Sequence, residues 1–242
     1  MKLSDKLFYV GVNDDEKSLF EGLWPLPYGV SYNSYVVADE KVALIDTVEQ
    51  GFEEEFLGNV ADAIGDRNVD YLVVNHMEPD HSSLTAYMLE RYPDMKIVAN
   101  VKTVPMLKGY YGVSEERVHV VGEGDTLDLG GTSLRFFMTP MVHWPETMVT
   151  WYEAEGTLFS GDAFGTFGAV DESVVDQEDT FEEYRDEMIR YYSNIVGKYG
   201  TPVQNALKKL AGVNLDYICS THGPVWHEHI GKVVDMYDRM SR

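Results

Sequence analysis

The sequence predicts a mixed α/β domain, and three observations carry that reading. Short runs of β-branched and aromatic residues alternate irregularly with amphipathic stretches of helical period, and some neighbouring runs are joined by hairpin-length turns. No shift in composition, Pro/Ser-rich linker, low-complexity run or fixed-period repeat divides the chain, so residues 1–242 are expected to form a single domain. Hydrophobic residues make up 44% and charged residues 25%, ordinary proportions with enough apolar side chains for a sizeable core.

Residues 5–12 and 30–37 cluster β-branched and aromatic side chains and read as strands on either side of a Pro/Gly loop at 22–29. Val42-Ala43-Leu44-Ile45-Asp46 is a further strand, paired with its predecessor through the polar turn Asp39-Glu40-Lys41. Phe52, Phe56, Val60 and Ile64 recur every four residues, which predicts a helix whose solvated face carries Glu53, Glu54, Glu55 and Asp62. A strand at 71–75, a helix at 83–92 stopped before Pro93, a strand at 97–100 and a helix at 101–111 with Pro105 in its first turn follow. Short strands at 118–121 and 127–129 flank Gly122-Glu123-Gly124-Asp125. Strands at 133–138, 148–152 and 157–160 come next, the last two joined through Glu155-Gly156.

The segment 165–177 is glycine-rich, then acidic, and reads as a long loop. Helix 180–196 carries a capping box, Thr180-x-x-Glu183, and an apolar stripe of Phe181, Tyr184, Met188, Tyr191, Tyr192 and Ile195, whose tyrosines are expected to pack in a core. Thr201-Pro202 opens another helix, with Pro at its first position, that ends at Gly212. A last strand at 217–220 precedes a helix marked by Ile230, Val233, Val234 and Tyr237.

The net charge of −22 argues against a nucleic-acid or anionic-membrane surface, since both need a positive field. With one cysteine, Cys219, the chain has no internal disulfide, cysteine-ligated iron–sulfur cluster or zinc finger. Cys219 lies in an apolar run and reads as a buried, inert thiol. The N-terminal residues lack the pattern of a signal peptide, and no apolar run approaches the ~18 residues of a membrane span. A reducing, cytoplasmic setting is the expectation.

Chemistry concentrates in Asn75-His76-Met77-Glu78-Pro79-Asp80-His81-Ser82-Ser83, where His76, Glu78, Asp80 and His81 put four metal-ligand types directly after a strand. Imidazole nitrogen with carboxylate oxygen suits iron, zinc or manganese. Three more candidates each follow a strand: His143 after 133–138, Asp162 after 157–160, and His222 after 217–220. Strands fixed in a sheet can bring distant loops to one edge, where function concentrates. His119, His227 and His229 lack that setting and read as surface or structural residues.

The pattern His76-x-Glu78-x-Asp80-His81, His143, Asp162 and His222 resembles the metallo-β-lactamase superfamily in its flavodiiron branch. Further matching stretches are Tyr32-Asn33-Ser34-Tyr35-Val36-Val37, the VALIDTV run at 42–48, LFSGDAFG at 158–165 and THGPVW at 221–226. The resemblance covers essentially the whole chain. It implies an αββα four-layer sandwich, two mixed sheets with helices outside. It also implies two iron ions: one held by His76, Glu78 and His143, the other by Asp80, His81 and His222, bridged by Asp162 and an oxo, hydroxo or peroxo group. Whether His81 coordinates directly varies in the family. Hydrolases of the superfamily carry a second histidine where this chain has Glu78. That exchange substitutes a harder, anionic oxygen for a neutral nitrogen and favours redox-active iron over zinc.

The resemblance implies O2 or NO as ligand and a head-to-tail homodimer. In the family a flavodoxin domain carrying flavin mononucleotide follows the core. This chain ends at Arg242, where that domain would begin, and it contains no flavodoxin phosphate loop, so no FMN site is expected in it. Electrons for O2 or NO reduction would then come from a separate flavoprotein or rubredoxin-like donor. Two smaller departures are Glu146, where the family usually has Asp, and Gly165-Thr166-Phe167-Gly168, where it frequently has Gly-Gln-His. Three readings stay open: an O2 or NO reductase core, an O2 or iron sensor that stabilises a diiron-peroxo state and signals to a receptor, and a zinc-dependent hydrolase, against which Glu78 argues.

Overall fold

The computed structural model describes residues 1–171 and 173–242, so Glu172, within the expected loop at 165–177, lies outside the described residues. The chain forms two compact units, residues 1–12 with 32–138 and residues 13–31 with 139–242.

The first unit is built on a six-stranded sheet with spatial order Leu7–Tyr9, Tyr35–Ala38, Val42–Ile45, Tyr71–Val73, Lys96–Asn100, Val118–Val121. The first three strands pair antiparallel and the rest run parallel. Val42–Ile45 is buried along its whole length, as a central strand covered on both faces must be. Helix Glu53–Ile64 buries Phe56, Val60 and Ile64, the periodic positions, and places three glutamates in its first turn, where the helix dipole favours them. The expected strand at 30–37 is two strands, Val30–Tyr32 and Tyr35–Ala38. Buried polar groups interrupt it: the Ser34 hydroxyl lies within hydrogen-bond reach of the Ile45 and Asp46 carbonyls, and Asn33 accepts from Tyr9. The strand expected at 5–12 likewise ends at Tyr9, with Val12–Asp14 as a separate short strand. The helix expected at 83–92 is Thr85–Arg91, preceded by a separate helical turn, Pro79–Ser82, that falls within the ligand-rich stretch.

In the second unit, Met148–Tyr152 pairs antiparallel with Thr157–Gly161, which pairs parallel with Tyr217–Ser220. Gly156 closes the hairpin at φ +57°, a left-handed position suited to glycine. The long helix is Thr180–Tyr191, continued by a π-helical turn, Tyr192–Val196. Its capping differs from the expected box: Asp179 is the N-cap, and Thr180 Oγ1 accepts a hydrogen bond from the Gln177 amide at 2.8 Å. Phe181, Met188, Tyr191, Tyr192 and Ile195 are buried, in line with a packing role. Pro202 is the third residue of helix Gly200–Leu210 rather than the first. The segment read as a Pro/Gly loop contains a small hairpin, Leu19–Phe20 with Trp24–Pro25, to which Arg190 is tied by donating to the Pro25 carbonyl. Helix Ile230–Met240 buries Val233 and Tyr237. No helix among the described residues is long and apolar enough to cross a membrane.

Candidate metal centre

Each unit carries its own set of donor groups. In the first, strand Tyr71–Val73 runs parallel to Val42–Ile45, so both chains leave the sheet at the same edge. Asp46 follows the second of these strands, at φ +55°, and its carboxylate accepts from the Asn75 backbone amide at 2.8 Å and side-chain amide at 3.0 Å. Burial pushes Asp46 up to about 6 against its ordinary 3.8, opposed by the charge of His81 and the Asn75 hydrogen bonds. The chain after Asn75 presents His76, then Glu78 in extended conformation, then the turn Pro79–Ser82 with Pro79 at its first position, where a missing amide costs nothing.

Two further anchors fix this turn. Ser82 Oγ lies 3.0 Å from the Met77 carbonyl, 2.9 Å from the Glu78 carbonyl and 2.7 Å from the Tyr111 hydroxyl. The His81 carbonyl accepts from the Thr47 amide at 2.7 Å and hydroxyl at 2.8 Å. Within this frame His76 Nε2 lies 3.3 Å from Glu78 Oε2, and His81 Nε2 lies 3.3 Å from Asp80 Oδ1.

In the second unit, the parallel pairing of Thr157–Gly161 with Tyr217–Ser220 brings the loops after both strands to one edge. The Thr221 amide donates to the Gly161 carbonyl at 3.0 Å, and the Thr221 hydroxyl donates to Asp162 Oδ1 at 2.7 Å. His143, on the loop that enters Met148–Tyr152, brings Nε2 to 3.0 Å from Asp162 Oδ2. His222 Nδ1 lies 2.7 Å from the Ser31 carbonyl. A carbonyl only accepts, so Nδ1 carries a proton, which leaves Nε2 as the nitrogen the ring can offer to a metal. The ring packs against Phe20 and Tyr191, with centroids 5.3 and 5.4 Å away. Gly223 sits at φ +78° and donates to Ser31 Oγ at 2.8 Å; a Cβ there would overlap the Thr166 hydroxyl.

The donor chemistry fits metal ions. The four imidazoles and three carboxylates are all buried, His143 being the most open at 7% exposure. Buried ionisable groups at this density are held by pairing or by metal. Within each unit the paired donor atoms lie 3.0–3.3 Å apart. Two donors each about 2.1 Å from one ion, at angles near 90–105°, show that spacing. The predicted residues thus occupy the strand-end positions expected of them, and the three set aside do not join them. His119 and His227 are exposed, and buried His229 donates to Asp176 at 2.8 Å.

Sequence reasoning missed the supports. Asp46, Thr47 and Thr221 stand at strand ends, a signal available but unread. Ser31, Ser82 and Tyr111 had none. Asp176 is buried and accepts from the amides of His227, Glu228 and His229 and from the His229 ring, pinning the loop beyond His222.

A model of the ODP family of β-lactamases matches residues 30–223. An anaerobic nitric oxide reductase flavorubredoxin of Shigella dysenteriae is 36% identical over 97% of this chain, which spans 50% of that protein. Among solved structures, rubredoxin oxygen:oxidoreductase of Desulfovibrio gigas superposes with a TM-score of 0.94 at 32% identity, covering 100% of this chain and 61% of that one. The flavodiiron protein of Giardia intestinalis gives 0.93 at 30% identity, covering 99% and 58%. The chain spans about half to three-fifths of the length of these relatives. The α/β, metallo-β-lactamase-like αββα class expected from the sequence is the class of these cores. From its family match, its fold and its strand-end donors together, the chain belongs to the ODP family of β-lactamase-like proteins and corresponds to the core domain of the flavodiiron proteins.

Proposed function

We propose that this chain is a single non-haem diiron domain that reduces NO or O2 with electrons from a separate flavoprotein or rubredoxin-like donor. On this reading His76, Glu78 and His143 would hold one iron, Asp80, His81 and His222 would hold the other, and Asp162 would be shared between them. The carrying observation is Glu78, a buried carboxylate whose oxygen lies 3.3 Å from His76 Nε2. It puts a hard anionic donor where hydrolases of the superfamily have a histidine, which favours iron over zinc. Family membership supports the rest of the donor set. The named relatives supply the two gases: one is called a nitric oxide reductase and another an oxygen oxidoreductase.

When bound, two ferrous ions supply two electrons and open positions for a diatomic ligand. The chain's residues do the remainder. Asp162, fixed by the Thr221 hydroxyl, is held in a single orientation, and the Ser31 carbonyl fixes the His222 tautomer that offers Nε2 to the metal. Burial of the donors excludes bulk water and strengthens their electrostatics. Taking O2 to water requires four electrons, so turnover draws on the donor protein. A cytoplasmic setting and a head-to-tail homodimer complete the proposal.

The test is anaerobic loading with ferrous iron, followed by metal analysis and by NO and O2 consumption with excess donor protein. Two irons per chain and sustained consumption are expected. Two zincs and no iron from iron-replete cells would reject the reading. Uptake of one equivalent of gas without sustained consumption would point instead to sensing.

A further inference from the structure

The second unit contains a cavity of ≈ 20 Å³ under helix Gly200–Leu210, among Val142, Ala163, Phe164, Val203, Ala206 and Tyr237. That volume accommodates one small molecule, and a buried water there would need two to four polar partners. The wall offers fewer. The Ser160 hydroxyl is committed to the Ala163 carbonyl at 2.7 Å, and the Tyr237 hydroxyl is directed to the Gly165 carbonyl at 3.5 Å. Thr139 Oγ1 is buried without a hydrogen-bond partner and is the one available hydroxyl among the described wall residues. A space that is otherwise hydrocarbon, with one hydroxyl to offer, suits an apolar diatomic molecule better than water.

Its place in the chain gives the cavity a use. Val142 immediately precedes His143, and Ala163 immediately follows Asp162, so two wall residues are covalent neighbours of proposed metal ligands. We infer that this cavity is a holding site for an apolar diatomic gas, O2 or NO, next to the metal-binding loops. The inference rests on the proposed gas-reducing function for its purpose, but gas occupancy is measurable without metal or turnover.

Crystals of the full metal-free chain pressurised with xenon, and separately with O2, test occupancy directly. One xenon, and O2 at the same position, are expected among Val142, Ala163, Val203 and Ala206. Ala206→Leu fills the space from the helix side, at a residue that is not a proposed ligand, and should abolish both; Val203→Ile serves if Ala206→Leu does not fold. In the iron-loaded chain the same substitution should raise KM for the gas several-fold and leave kcat and iron content nearly unchanged. An empty cavity in the pressurised wild-type chain would overturn the inference. So would a filled variant that loses xenon and keeps its KM. A chain that takes up gas in this cavity but never consumes it, with or without iron, would instead overturn the proposed function.

Discussion

The donor sets of the two units are built in opposite ways. The first unit takes His76, Glu78, Asp80 and His81 from six consecutive residues, shaped by one strand end and one helical turn. The second takes His143, Asp162 and His222 from three loops up to 79 residues apart, and ties His222 to Ser31, 191 residues away. A contiguous set is ordered by local geometry. A dispersed set is ordered only once the surrounding structure exists, so its supports should carry more of the cost when removed.

Four measurements would break or sharpen that contrast. The largest effect is expected at Glu78→His, which should raise zinc retention and lower gas consumption; unchanged iron occupancy and uptake in metal analysis and electrode assays would sink the donor argument. Next comes Asp176→Ala. It strands three backbone amides and the buried His229 ring at once, and should cost about 3–5 kcal/mol in denaturant unfolding, with Asp176→Asn recovering much of it.

Third is the pH dependence of the metal-free chain. Asp46 has a folded value of about 6 against 3.8 for its ordinary state, so between those values the folded chain holds more protons than the unfolded one. Stability should therefore fall as pH rises from about 4 to about 6, by an amount on the order of 3 kcal/mol, and this slope should flatten in Asp46→Asn. The smallest effect is expected at Tyr111→Phe. It removes one hydroxyl from Ser82, which keeps its own contacts to the ligand turn, and should cost about 0.5–1.5 kcal/mol. A Tyr111→Phe loss equal to that of Asp176→Ala would erase the contrast between local and dispersed support.

Legibility in the sequence follows the same division. Helix Glu53–Ile64 and strand Tyr217–Ser220 were readable because each is a period or an apolar run long enough to stand alone. The turn Pro79–Ser82 is not legible as a helix, since four residues complete no apolar repeat, although Pro79 marks its start. The hairpin at 19–25 and the break at Asn33-Ser34 depend on partners distant in sequence, Arg190 in one case and Ile45 and Asp46 in the other. All seven candidate residues are legible as residues of metal-binding type that follow strands. Their supports were less so, because Ser31, Asp176 and Tyr111 matter only through what the fold sets beside them.

The bond between His222 and Ser31 orders events during synthesis. The chain emerges N-terminus first, so the first unit's four donors leave the ribosome long before His222 does. Ser31 meanwhile waits with its carbonyl unclaimed by that ring for 191 residues of elongation. At about 5–20 residues per second that is roughly ten to forty seconds. The contact that orients the His222 ring is thereby among the last features of the second unit to be set, however early its Ser31 partner is made.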